Sequence, residues 1–235
     1  MPKMKKIACA ALSAIMAFSV LTTAAFADQP YEGYNYDWWG DPVPSQTGYV
    51  VDRVVTGIDL GAGTRYNTDE QLKAIGDVEK TVELGSLSDP ADMYIDRETQ
   101  FLYIVDSGNN RILITDVNFE KPVVIMDYFY NPDTKGYETL NGPRGIFVRH
   151  VDDAETEAES TMIYIADYDN ERVLGVYGDG TVFQQFTKPS SEFYEDDVTF
   201  QPNKVVVDVS GNVYVNIKSI TTGAVMFAPD GSFSN

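Results

Sequence analysis

One pattern occurs three times in this chain, and it constrains the fold more than any other feature. Each copy opens with a proline, runs through an alternating strand and a second strand ending in Asp or Asn, and continues through a polar turn into a third strand. The opening prolines are Pro90, Pro143 and Pro202, and the second strands end at Asp106, Asp167 and Asn216. Units that recur in this way stack on one another and bury a shared core.

Each copy is typical of a small antiparallel sheet, because short runs of β-branched and aromatic residues alternate with turn-forming residues. Four short antiparallel strands are the ordinary content of one propeller blade. We therefore predict an all-β fold with blades over about residues 87–130, 140–187 and 200–235. The predicted strands are 93–95, 102–105, 111–114 and 123–126 in the first copy, 145–148, 162–166, 172–176 and 181–186 in the second, and 204–208, 212–216 and 224–227 in the third.

The first copy reads Tyr-Ile-Val-Asp-Ser-Gly-Asn-Asn-Arg-Ile over residues 103–112 and resembles the NHL repeat, a propeller-blade sequence. Residues 163–174 resemble it with a changed turn, and residues 205–227 keep only the strand pattern. The resemblance covers about residues 87–235. It implies an NHL-type β-propeller, usually six-bladed, of which this chain supplies about three blades and is incomplete at its C-terminus. We interpret Asp106, Asn109, Asn110 and Arg111 as residues that fix the hairpin turn.

The residues before the first copy divide into three parts. Residues 28–48 form a lead-in rich in aromatic residues and proline, which we expect to pack against the main body, with an aromatic ligand platform as the alternative. Residues 49–235 form the partial propeller, which begins with a predicted strand at 49–59 that would close the ring as the outer strand of the last blade. Residues 64–86 are an insertion in which Thr68 and Gln71 form a capping-box pattern, so we predict one short helix there.

The N-terminus has the features of a secretory signal peptide over residues 1–27. Three lysines precede an apolar run from Ile7 to Val20, and the small-residue site Ala25-Phe26-Ala27 follows. An uncleaved anchor is the alternative, because the apolar stretch approaches the length that spans a bilayer. The single cysteine, Cys9, lies inside this segment, so the mature chain has no thiol nucleophile and no disulfide. We expect a secreted protein or one at the cell surface.

The charge balance limits the partners. The chain has 36 acidic and 17 basic residues and a net charge of −19. Such a surface repels nucleic acid, while it keeps a secreted protein soluble. We expect a protein, peptide or glycan ligand, with membrane contact only through an uncleaved signal or a C-terminal anchor outside this sequence.

The sequence offers no catalytic constellation and no evident cofactor. It has one histidine, His150, no Gly-x-Ser-x-Gly elbow and no second histidine for a relay. Asp152 and Asp153 begin an acidic stretch that could supply oxygens to Ca²⁺, but they lack the spacing of an EF-hand loop, which favours an exposed hairpin loop. Some propellers that this chain resembles, gluconolactonase-like or amidating-lyase-like, hold a metal near the axis, so one alternative is the N-terminal half of such a hydrolase or lyase.

Propeller geometry indicates where a ligand would bind. The loops before each innermost strand and the turns between second and third strands share one face. Arg144 and Lys204 would attract an anionic or hydroxyl-rich ligand there, unless they pair with local acids. We therefore predict a binding module, with a structural extracellular scaffold as a further alternative. The candidate ligand-binding residues are Asp92, Asn109, Asn110, Arg144, Tyr168, Asp169, Asn203 and Lys204.

Overall fold

The computed structural model describes residues 34–44, 51, 53–152, 159–190, 198–218 and 223–233. The signal peptide predicted at 1–27 and most of the acidic loop, 153–158, lie outside these residues. The described residues up to 54 and those from 55 onward belong to two different units.

The described part of the second unit is built mainly of antiparallel strands, so the all-β prediction is confirmed. The three sequence copies become three consecutive sheets in which neighbouring strands follow chain order, as they do in propeller blades. In the first sheet these strands are β5 (Pro90–Ile95), β6 (Phe101–Asp106), β7 (Arg111–Asp116) and β8 (Val123–Met126). In the second they are β11 (Pro143–Asp152), β12 (Glu159–Asp167), β13 (Arg172–Tyr177) and β14 (Val182–Thr187), and in the third β15 (Pro202–Val207), β16 (Val213–Ile217) and β17 (Val225–Phe227).

The three sheets pack face to face through side chains that alternate along each strand. In β12, Ile163 and Ile165 belong to the core shared with the first sheet, whereas Tyr164 and Ala166 belong to the core shared with the third. This period of two is expected of a strand that is covered on both faces. The arrangement is propeller-like, with β5, β11 and β15 as the innermost strands.

A bulge recurs at the start of each innermost strand. The pairing register shifts after Pro90, Pro143 and Pro202, so one extra residue follows each proline. A bulge of this kind redirects the side chain of the extra residue. In the second sheet that residue is Arg144.

The strand predicted at 49–59 is wrong for its described residues. Residues 53–56 form no strand, and α1 (Gly57–Leu60) is a helical turn. Thr56 and Asp59 form a capping box, which begins a helix where the valine pattern indicated a strand. The strand in this region is β3 (Ala62–Arg65), which pairs in parallel with β8 and antiparallel with β4 (Thr81–Glu83), so the first sheet has six strands.

The segment around β3 and β4 also covers the outer face of the first sheet. Leu84 is buried with Leu102, Ile104 and Leu113, and Leu60 and Leu87 pack against the same cluster. Within the described residues, the large apolar side chains that β5 leaves exposed are Met93 and Ile95.

The short helix predicted in the insertion is confirmed as α2 (Asp69–Gly76). The Thr68 side chain accepts a hydrogen bond from the Gln71 amide, and the Gln71 side chain accepts one from the Thr68 amide. A further hairpin, β9 (Tyr128–Asn131) and β10 (Gly136–Thr139), follows the first sheet.

The described part of the aromatic lead-in is a hairpin of β1 (Tyr34–Tyr36) and β2 (Pro42–Pro44). Asp37 fixes its turn by accepting hydrogen bonds from the amides of Trp39 and Asp41, at 2.9 Å each. Trp38 and Trp39 are 92% and 82% exposed, and the packing of the lead-in against the main body stays a prediction. Among the residues described, no helix has the length and apolar character needed to cross a membrane.

Candidate functional site

The Asp of the first repeat is the centre of a buried hydrogen-bond network. Asp106 is fully buried, and its carboxylate accepts from the Ser88 amide at 2.7 Å, from Asn109 Nδ2 at 2.9 Å and from Arg111 Nε at 2.7 Å. Arg111 also donates to the Leu84 carbonyl at 2.8 Å. The predicted turn chemistry is confirmed, and the network also ties the loop before β5 to the β6–β7 turn.

The second repeat reproduces this network. Asp167 accepts from the Asn141 amide, Asn170 Nδ2 and Arg172 Nε, each at 2.8 Å. Arg172 has a second acidic partner, Glu138. Burial raises the pKa of Asp167 above its ordinary value, although all three donors act in the opposite direction.

The third repeat lacks the network, and the assignment of Asn216 to the Asp position is wrong. Asp106 and Asp167 pair with the prolines that open their sheets, whereas Pro202 pairs with Ile217 and Asn216 pairs with Lys204. Ile217 is buried and Asn216 is exposed. The apolar residue therefore occupies the position of the buried carboxylate.

The loops before β5, β11 and β15 lie at one face of the sheets, here called the upper face. Two cations converge on one tyrosine ring at this face. The guanidinium carbon of Arg144 lies 4.8 Å from the centre of the Tyr168 ring, and Lys218 Nζ lies 5.7 Å from it. The Tyr168 hydroxyl donates to Gln201 Oε1 at 3.1 Å, which fixes the ring. Arg144 also lies 4.0 Å from the Asp89 carboxylate, with side-chain exposures of 43% and 67%. Lys218 was not identified from the sequence, although it directly follows the second strand of the third copy, as Tyr168 does in the second.

A third cation joins the first and third sheets across the second. Lys204 Nζ lies 2.6 Å from Asp92 Oδ1, and Asp92 Oδ2 accepts from the Ile146 amide at 3.0 Å. Gly145 makes this approach possible, because a Cβ there would lie 2.6 Å from the Asn203 carbonyl oxygen. We call Asp92, Arg144, Tyr168, Lys204 and Lys218 the upper-face cluster.

The remaining candidate residues have internal partners. Asn109 donates to Asp106 and to the Ser86 carbonyl, and Asn110 accepts from the Gly142 amide at 2.8 Å. The Asp169 amide donates to the Asn141 carbonyl at 3.0 Å. Asn203 adjoins the cluster through its backbone, at the close approach to Gly145.

His150 lies on β11, away from the upper face. Its Nε2 is 2.7 Å from Asp96 Oδ2, and its Nδ1 is 3.2 Å from Thr161 Oγ1. Burial alone would raise the pKa of Asp96, but hydrogen bonds from Thr99, His150 and the Glu98 amide outweigh it and lower the pKa. The pair links the first sheet to the second.

Acid should therefore weaken the contribution of Asp96 to stability. Because its pKa is lower in the folded chain, this contribution is complete above the unfolded value of about 3.9 and is lost as the pH falls through the folded value. We expect the difference in Tm between the wild type and Asp96→Asn to shrink between about pH 5 and pH 2. Asp133→Asn, at an exposed position, is the control. The Tm of each protein is measured by circular dichroism. A difference that stays constant over this range would contradict the assignment.

The described residues contain no group of three or more His, Cys, Asp or Glu side chains placed to hold a metal ion.

Comparisons with known proteins give partial matches to solved structures. A hydrazine synthase from Kuenenia stuttgartiensis is 12% identical with a TM-score of 0.42, over 63% of this chain and 35% of that one. A virginiamycin B lyase from Staphylococcus aureus is 14% identical with a TM-score of 0.38, over 66% and 44%. A putative phosphatase from Bacteroides thetaiotaomicron is 18% identical with a TM-score of 0.37, over 61% and 36%. The chain thus spans less than half the length of each of these structures, and no family model and no curated protein matches it.

Proposed function

We propose that this chain is a secreted, NHL-type propeller module that binds an anionic glycan at the upper-face cluster. The observation that carries this proposal is the convergence of Arg144 and Lys218 on the Tyr168 ring beside Lys204, in a chain with a net charge of −19. The lysines and apolar run at the N-terminus support secretion, and the repeat over residues 103–112 supports the NHL assignment.

The ion pair of Arg144 is loose enough for a ligand to replace it. Arg144 and Asp89 are 4.0 Å apart, with side-chain exposures of 43% and 67%. Exposed pairs of this kind contribute only about 0–1 kcal/mol, so a carboxylate of the ligand can compete with Asp89. Lys204 lies closer to its partner, 2.6 Å from Asp92 Oδ1, but its side chain is 52% exposed and accessible to the same ligand.

The mixture of charges favours a hydroxyl-rich anion over a purely acidic one. Asp92 lies within the cluster and can accept hydrogen bonds from sugar hydroxyls, which a ligand with acid groups alone does not offer. Arg144 Nε makes no hydrogen bond among the described residues and is an additional donor if the side chain reorients.

Removing two of the three cations of the cluster should abolish most of this binding. We expect Arg144→Ala/Lys204→Ala to weaken binding of an oligogalacturonate by about tenfold or more in calorimetry, because charge-assisted hydrogen bonds to the carboxylates are lost. The control is Lys73→Ala/Lys135→Ala, which removes the same charge at exposed positions elsewhere.

Comparing the two double variants separates binding at the upper-face cluster from general attraction between opposite charges. Equal losses in the two double variants would contradict the placement at the upper face. Binding of an acidic peptide in preference to the oligogalacturonate would replace the glycan with a peptide ligand. Failure of the wild type to bind either ligand would overturn the proposed function.

A further inference from the structure

A second concave surface lies at the opposite ends of the innermost strands. It has a volume of about 720 Å³ and lies between the β5–β6 turn, the middle of β11 and the β15–β16 turn. A cavity of this size is in the range of small-molecule sites. We call this surface the lower groove, and its chemistry depends on Tyr94, Asp96, Arg97, Phe147, Arg149 and Asp208.

Two carboxylates of the lower groove already have internal partners. Asp96 accepts from Thr99, from the Glu98 amide and pairs with His150. Asp208 accepts from the Ser210 amide, from the amide and side chain of Asn212 and from the Tyr214 hydroxyl. These acids are therefore occupied in fixing their turns.

The arginines of the lower groove lack such partners. Arg149 Nη1 donates to the Asp208 carbonyl at 3.1 Å, and Arg97 is exposed. Neither guanidinium forms an ion pair with a carboxylate of the described residues. The exposed Glu98 also lines the groove and opposes them in charge. A guanidinium that is held by a neutral carbonyl remains available to a carboxylate of a ligand.

Aromatic rings supply the apolar part of the lower groove. Tyr94 and Phe147 pack edge to face, with ring centres 5.4 Å apart and planes at 65°. Ile95 is 56% exposed beside them. An aromatic ring of a ligand can stack in this environment at the same time as its acid group meets an arginine.

We propose that the lower groove binds an aromatic carboxylate, presented either by a free small acid or by the C-terminus of a peptide that ends in an aromatic residue. Arg149 and Arg97 bind the carboxylate, and Tyr94 and Phe147 contact the ring. This site is independent of the upper-face cluster and of the proposed glycan binding.

Ligand-observed NMR and calorimetry with 3-phenylpropionate test the site, and its neutral amide is the matched probe. The acid is expected to bind the full chain, and the amide roughly tenfold more weakly. Arg97→Gln should weaken binding several-fold and Glu98→Gln should strengthen it, because the two changes move the charge of the groove in opposite directions. Phe147→Leu should weaken binding of both probes, and the control Lys73→Ala/Lys135→Ala should change neither.

Equal binding of acid and amide, absence of binding, or identical effects of Arg97→Gln and Glu98→Gln would overturn the proposal. A tripeptide that ends in phenylalanine distinguishes the two ligand sources. If it binds more tightly than 3-phenylpropionate and loses affinity on amidation, the ligand is a peptide terminus, whereas the reverse order identifies a small acid. Both results support the site. Circular dichroism of each variant separates loss of binding from loss of folding.

Discussion

Asp106→Ala is expected to destabilise the chain by about 3–5 kcal/mol, the largest effect of any single substitution proposed for this molecule. The change removes a fully buried carboxylate together with the three hydrogen bonds that it accepts. It also leaves Arg111, whose side chain is 11% exposed, with the Leu84 carbonyl as its remaining hydrogen-bond partner. Asp127 interacts with Arg111 electrostatically but forms no direct ion pair with it. A buried guanidinium without a carboxylate in direct contact is costly because it has lost most of its hydration.

The second repeat provides the matched comparison. Asp167→Ala removes an equivalent carboxylate, but Arg172 keeps Glu138, so the expected cost is about 1–3 kcal/mol from the donors left without an acceptor. Urea denaturation of both variants gives the two values. Asp106→Ala/Arg111→Met removes both charges and should recover part of the loss. If Asp106→Ala lowers the free energy of unfolding no more than Asp167→Ala does, Glu138 does not protect Arg172 in the way proposed here.

Gly145→Ala is expected to destabilise the chain by about 1–3 kcal/mol, because the added methyl group would overpack the contact between β11 and β15. The new Cβ would lie 2.6 Å from the Asn203 carbonyl oxygen and 2.9 Å from Lys204 Cα. Both are backbone atoms, so relief requires the second and third sheets to separate. That separation would also lengthen the 2.6 Å pair of Asp92 and Lys204.

Gly136→Ala is the control for this prediction. A Cβ at Gly136 would have its nearest neighbour, Thr134 Oγ1, at 3.6 Å, which is an ordinary contact. We expect a change within about 1 kcal/mol, since alanine restricts the unfolded chain without overpacking the folded one. Denaturation midpoints compare the two variants, and a Gly145→Ala protein as stable as Gly136→Ala would mean that the sheets yield easily at this point.

The strands of the three repeats could be predicted from the sequence because each is short, alternating and bounded by turn residues. The helix α2 could be predicted for a similarly local reason, the capping box of Thr68 and Gln71. For the described residues of 49–59 the expected strand is wrong, because a second capping box, Thr56 with Asp59, begins a helical turn there. β3 has little strand propensity, and its position depends on pairing with the distant β8.

The candidate site was only partly accessible to sequence analysis. The order of loops and strands placed Arg144 and Lys204 at one face, but nothing local shows that Lys204 reaches Asp92 across the second sheet. That contact depends on the absence of a side chain at Gly145. The register of the third repeat was misassigned by one residue, because Asn216 is the polar residue near the expected position, whereas the apolar Ile217 is the residue that faces Pro202.

The segment that covers the first sheet also bears on how the protein behaves at high concentration. An uncovered outer face of a stacked sheet would be a surface where identical molecules adhere. Leu60, Leu84 and Leu87 occupy that surface from within the same molecule. The negative charge of the chain keeps copies apart over roughly a Debye length of 8–10 Å, and the covering leucines act when two molecules touch. Two effects therefore oppose self-association at this end of the second unit: charge repulsion at long range and the leucine cover on contact. Added salt would weaken the first and leave the second.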